Sequence, residues 1–239
     1  MTSDRCSCER KPSIKDSTRE RYEEQWGRLD ERVAAERRRE HSFIADPVLR
    51  VVMPFTGKTI VDLGMGTGSM SFRAVELSAP EKLVGVDFSS HGLSVSRRVA
   101  RGEQFSSVDV EVVLGDLERI PLADKCADII LSQATFNLLP DKRAGMQEMA
   151  RIAKHGARVA LSDAFRTTKK CGDEPWEACI AGAMTVADFS TLALSSGLIV
   201  SQQLDLTRQV KQMISSGKWD WPEFVQHKMD YRAVVLIRA

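Results

Sequence analysis

The 239-residue chain is long enough for one domain with appendages or two small ones, and its 43% hydrophobic and 28% charged content is that of a globular protein with a sizeable core. Lysine and arginine number 34 against 33 acidic residues, a formal charge of +1, so no field strong enough to draw in nucleic acid or an anionic lipid surface is expected. No apolar run approaches the roughly 20 residues that span a bilayer, and Met1 to Lys11 is charged where a secretory signal would be apolar, so a cytoplasmic protein without a membrane partner is expected.

Residues 1–14 read as a disordered N-terminus. Residues 15–57 read as a helical arm or lid. Its densely charged stretch from Lys15 to Glu40 places Tyr22, Trp26, Leu29 and Val33 on one helical face, and a short helix from Ile44 to Met53 is stopped by Pro54 and Gly57. The arm either packs as a surface helix or closes over a ligand.

From Lys58 onward strands and helices alternate. Strands are predicted at Thr59 to Leu63, Lys82 to Asp87, Val108 to Leu114, Ala127 to Ser132 and Ala157 to Leu161, with helices at Ser69 to Leu77, Ser90 to Ala100 and Asp141 to Ala153. A helical segment from Trp176 to Ser195 lies in a substrate-side insertion at about residues 165–195, and Leu198 to Leu204 and Tyr231 to Ile237 form an antiparallel edge. Continuous apolar strands alternating with helices bury both sheet faces. The fold class is therefore α/β, a doubly wound, mostly parallel seven-stranded sheet with helices on both faces, and 58–239 is its domain.

The first strand runs into Asp62-Leu63-Gly64-Met65-Gly66-Thr67-Gly68, where a ligand binds in a doubly wound sheet. Glycines there allow unusual backbone angles and a close approach. A dinucleotide turn would read G-x-G-x-x-G or Ala. Here Gly68 comes one place early, Ser69 holds the third position, and Asp62 stands before the first glycine. These details favour S-adenosyl-L-methionine over NAD, since the former has no pyrophosphate and carries a cationic amino group and sulfonium. Asp87 ends the second strand about 20 residues on, where a carboxylate can take ribose hydroxyls. Asp116 and Leu117 follow the third strand, where an adenine would lie, and Ser132 and Gln133 end the fourth, beside the expected methyl. Tyr22, Phe88 and Asn137 complete the expected cofactor-binding set.

These motifs resemble the class I S-adenosylmethionine-dependent methyltransferases over Lys58 to Leu161. They more narrowly resemble the arsenite methyltransferase family, through Gly115 to Leu122, Asn137 to Lys142, Ser162-Asp163 and Trp176-Glu177-Ala178-Cys179-Ile180-Ala181-Gly182-Ala183. The resemblance implies S-adenosyl-L-methionine as methyl donor, S-adenosyl-L-homocysteine as product, and Cys179 as one of the thiols that hold trivalent arsenic. The family's other arsenic-binding cysteines have no counterpart here: none lies between Thr18 and Lys58 or after Cys179, and the chain's remaining cysteines are Cys6, Cys8, Cys126 and Cys171. The acceptor is thus either trivalent arsenic or a thiol, or another small molecule methylated at oxygen, nitrogen or carbon. No bound metal is expected.

A soft nucleophile needs no general base, whereas a hydroxyl or amine needs a proton acceptor within reach. Asp163, ending the fifth strand, and His41, ending the arm, are the candidates, while His91 reads as a surface or cap residue. Ser132-Gln133-Ala134-Thr135-Phe136 stands where amine methyltransferases of nucleic acids and glutamine carry Asn/Asp-Pro-Pro-aromatic. The expected partner is a small-molecule acceptor, and the protein a monomer or homodimer.

Overall fold

A computed structural model describes residues 13–167 and 180–239; the expectations for residues 1–12 and for Cys171, Trp176 and Cys179 lie outside the described residues. Helix α1 (Ile14–Gly27) starts at a capping box, in which Asp16 N–H donates to Ser13 Oγ and Ser13 N–H to Asp16 Oδ2, each at 3.2 Å. Helix α2 (Glu31–Val52) starts where Asp30 accepts the Val33 N–H at 2.8 Å. The arm is therefore two helices joined at 28–30, and Leu29 sits in the turn instead of on a shared face with Tyr22 and Trp26. The short helix expected from Ile44 is the second half of α2. Its polar middle does not break it, because Arg38 is buried against Glu76 at 2.7 Å and Ile44, Ala45, Val48, Leu49 and Val52 bury at helical spacing.

The sheet is built from β1 (Thr59–Leu63), β2 (Lys82–Asp87), β3 (Asp109–Leu114), β4 (Ala127–Gln133), β5 (Ala153–Phe165), β6 (Leu198–Asp205) and β7 (Asp230–Arg238), in the order β3-β2-β1-β4-β5-β7-β6. All neighbours among β1 to β5 are parallel, and β7 is antiparallel to both β5 and β6. The strand order reverses between β1 and β4. Strand β5 outruns the expected Ala157 to Leu161 because both of its edges are paired, as far as Ser162 with β4 and Phe165 with β7.

Side chains alternate across the sheet. Ile60, Leu83, Leu131 and Ala160 face one cluster with α2, α3 (Ser69–Leu77), α4 (Ser90–Ala100), α7 (Thr207–Ser215) and α8 (Pro222–Gln226). Val61, Val84, Ile130 and Val159 face the other with α5 (Lys142–Ile152) and α6 (Val186–Ser195). Helix α6 brings Phe189 edge-on to Phe136 and Phe165, which makes it a covering helix of the sheet. Helices α7 and α8, unassigned in the sequence reading, fill the passage from β6 to β7. No helix among the described residues is long and apolar enough to cross a membrane.

Candidate functional site

At the strand-order reversal, the loop from β1 to α3 forms the floor of a cavity of about 240 Å³. The loop is bent by left-handed backbone at Gly64 (φ 80°) and Gly66 (φ 52°). A Cβ on Gly64 would stand 2.2 Å from Thr135 Oγ1, so only glycine fits beneath the end of β4. The loop is held from below: Gly64 N–H donates to Val86 O at 2.8 Å and Ser96 Oγ to Gly66 O at 2.8 Å.

Asp87 closes β2 against this loop. It accepts the N–H of Gly66 at 2.7 Å and of Ser89 at 2.8 Å, with no cation paired to it among the described residues. Burial pushes its carboxyl up to about 6, opposed by those N–H groups and reinforced by the charge of Glu23. Asp62 beneath the loop is taken by the Ser71 hydroxyl, and burial, with Asp87 adding to it, pushes it up to about 7.

The roof comes from the arm. Tyr22, Gln25 and Trp26 of α1 and Arg37 and His41 of α2 line the cavity, together with Phe88, Gln133, Ala134, Thr135, Trp219, Trp221 and Tyr231. Glu23 fastens α1 to the start of α4, accepting from Ser89 Oγ, Ser90 N–H and His91 N–H at 2.7–3.0 Å. Burial opposes its charge, yet these donors at a helix N-terminus carry its carboxyl down to about 2. His41 packs edge-on to Trp219, with ring centres 5.1 Å apart. Burial, then the nearby Arg37 charge, lowers it to about 4, so it is uncharged at neutral pH.

A second cavity, of about 50 Å³, shares Gly64, Phe88, Thr135 and Leu138 with the first and is lined by Asp116 and Leu117. Lys15 of α1 reaches Asp116 at 2.7 Å and Glu118 at 2.5 Å across it. Partial burial opposes ionisation of Asp116, but Lys15 holds its carboxyl below the usual range.

The structure thus brings Tyr22, His41, Asp62, Gly64, Gly66, Thr67, Asp87, Phe88 and Gln133 to the main cavity and Asp116 and Leu117 to its annex. Four predicted residues face elsewhere. Gly68 (φ 80°) is the N-cap of α3, where a Cβ would meet Phe72 at 2.4 Å. Ser132 Oγ donates to Leu63 O at 3.1 Å inside the sheet. Asn137 is buried and donates through Nδ2 to Asp163 Oδ1 and to Ala164 O, each at 2.8 Å. Asp163 accepts the first of these and the Asn137 and Ala164 N–H groups, and burial raises it to about 7 against those donors. Asp163, expected as a proton acceptor, lines neither cavity, and its carboxyl joins β5 to the segment after β4.

The sequence reading missed Arg37, Thr135, Trp219, Trp221 and Tyr231. The available signal was Trp219-Asp220-Trp221, which places two of the chain's four tryptophans two residues apart in an otherwise polar stretch.

The donor set fits S-adenosyl-L-methionine. A buried carboxylate facing only backbone N–H groups suits a neutral diol, Gly64 and Gly66 add no side chains of their own to the loop, and Leu117 and Phe88 offer apolar surface to a base. Residues 54–222 match a family described as a methyltransferase domain. Arsenite methyltransferase of Halobacterium salinarum is 31% identical over 148 residues, 59% of this chain and 37% of that one. Demethylmenaquinone methyltransferase of Desulfitobacterium hafniense is 31% identical over 113 residues, 47% of this chain and 44% of that one. The chain spans less than half the length of these relatives. Geranyl diphosphate C-methyltransferase of Streptomyces coelicolor, solved with S-adenosyl-L-homocysteine, superposes with a TM-score of 0.72 at 15% identity over 84% of this chain and 80% of that one, a likeness of fold.

Proposed function

We propose that this chain, which belongs to the methyltransferase-domain family, transfers the methyl group of S-adenosyl-L-methionine to a small acceptor. The observation that carries the reading is the Asp87 carboxylate, closed over the glycine loop by the Gly66 N–H and roofed by α1. When bound, S-adenosyl-L-methionine supplies a methyl already activated by its sulfonium. The protein's part is position and exclusion of water. Asp87 would take the ribose hydroxyls, Leu117 and Phe88 would hold the base, and the Gly64 and Gly66 backbone would receive the amino-acid end. Tyr22, Trp26, Trp219 and Trp221 shut out solvent above.

The acceptor of this reading is trivalent arsenic or a thiol, supported by the arsenite methyltransferase relatives and by Cys179. Such an acceptor needs no base, which agrees with a His41 that is uncharged and weakly basic. A second reading, methylation of an organic acceptor at oxygen, nitrogen or carbon, is favoured by the walls themselves. Trp219, Trp221, Tyr231 and His41 make an aromatic box, and no cysteine is among the described residues that line it. Incubation with methyl-labelled S-adenosyl-L-methionine and a panel of arsenite, small thiols, phenols and amines decides between them. Label in methylated arsenic or thioether, lost in Cys179→Ser, supports the first; label in a phenol or amine, unaffected by that change, supports the second. No label in any product, with no binding of S-adenosyl-L-homocysteine, overturns both.

A further inference from the structure

Arg37 stands on α2 one turn before His41 and lines the main cavity. Its guanidinium carbon lies 5.4 Å from the ring centre of Trp26. The Trp26 ring in turn sits over the glycine loop, 3.2 Å from where a Cβ on Gly66 would be. Other arginines of this face are spoken for: Arg38 by Glu76, Arg73 by Asp46 and Arg98 by Glu31. Among the described residues no carboxylate lies within ion-pair distance of Arg37. Burial disfavours its charge, and Glu40 on the same helix only partly offsets that. His41 beside it is uncharged at neutral pH, and the two acids of the cavity, Asp62 and Asp87, are occupied by Ser71 and by backbone N–H groups.

A half-buried cation with an aromatic plate behind it and nothing in front of it is costly unless a ligand completes it. A guanidinium fork matches the two oxygens of a carboxylate. We propose that Arg37 is the carboxylate-binding residue of the cavity, its guanidinium positioned by Trp26 to pair with a carboxylate that the ligand brings. The inference rests on the reading that S-adenosyl-L-methionine occupies the glycine loop. The carboxylate has two sources, the amino-acid end of the cofactor or an acidic acceptor lying against Trp219 and Trp221.

Calorimetry on the full chain separates them with three probes: S-adenosyl-L-homocysteine, 5′-methylthioadenosine, which keeps the adenosine and thioether but lacks the amino acid, and benzoate titrated into the S-adenosyl-L-homocysteine complex. If the cofactor supplies the carboxylate, Arg37→Gln weakens S-adenosyl-L-homocysteine about tenfold or more and leaves 5′-methylthioadenosine unchanged. If the acceptor supplies it, both adenosine probes are unchanged and benzoate binding is lost. Arg37→Lys, which keeps charge and stem but not the fork, shows the same selective loss to a smaller degree and serves if the glutamine variant does not fold. The proposal is overturned if all three affinities stay as in the unaltered protein, or if all three fall together. Failure of the unaltered protein to bind either adenosine probe overturns the cofactor reading instead.

Discussion

The Glu23 carboxylate on α1 accepts the Ser90 N–H at 2.7 Å, so the roof of the cavity is tied to the first turn of the helix that follows Asp87. The arm and the helix that follows Asp87 are therefore joined by a charge on one and otherwise unpaired helix N–H groups on the other.

Glu23 titrates near 2 in the folded chain against an ordinary 4.5. Its contribution is complete above about 4.5 and is lost as pH falls toward 2. Hydrogen exchange of α1 should accordingly show protection that is high at pH 6 and reduced at pH 3. In Glu23→Gln protection should be low at both, by about tenfold at pH 6. Equal protection in variant and unaltered protein at pH 6 would remove the tie.

Asp87 behaves oppositely, since its folded value of about 6 lies above the ordinary 3.8. The folded chain binds the extra proton between those values, so stability falls as pH rises through that window and the full cost stands above about 6. Asp87→Asn is expected to melt no lower than the unaltered protein at pH 8 while binding S-adenosyl-L-homocysteine at least about tenfold more weakly. A melting temperature lowered at pH 8 would count against this account.

Gly64→Ala combines a left-handed backbone with a Cβ 2.2 Å from Thr135. Strain and overpacking together should cost roughly 2–5 kcal/mol in urea unfolding. Gly156→Ala, with a similar backbone (φ 76°) but nothing near its Cβ, should cost only the backbone part.

Asn137→Ala removes the donor between Asp163 and Ala164. The loss should be roughly 3 kcal/mol at pH 8. It should be smaller at pH 5, because Asp163, raised to about 7, takes up a proton there and no longer presents a bare charge. Urea unfolding at the two pH values reads the difference directly.

The sheet was legible because Thr59 to Leu63, Lys82 to Asp87 and Ala127 to Gln133 are buried on both faces and show as short, mainly apolar runs without a period-2 alternation. Asp62, Asp87 and Asp116 could be placed from the same pattern, each standing at or just past a strand end. What strand position does not give is the direction of the side chain: Ser132 and Asp163 also sit near strand ends, but their neighbours inside the sheet claim them. The roof was harder. Arg38 reads as one charge among many in a run of arginines, and only its tertiary partner Glu76 shows why α2 continues through it. Trp219 and Trp221 come to the cavity through α7 and α8, which bury only Val210 and Phe224 and so leave little periodicity to read.

Strand β7 lies between β5 and β6 although it follows both in the chain. In chain order β6 precedes β7, which is its one neighbour in the sheet, and the second side of β5 likewise has no partner until β7 is in place. Closing the sheet thus waits on a late strand: until Asp230–Arg238 inserts between them, β6 is without a ladder and β5 keeps an open side, the kind of edge that invites wrong pairing.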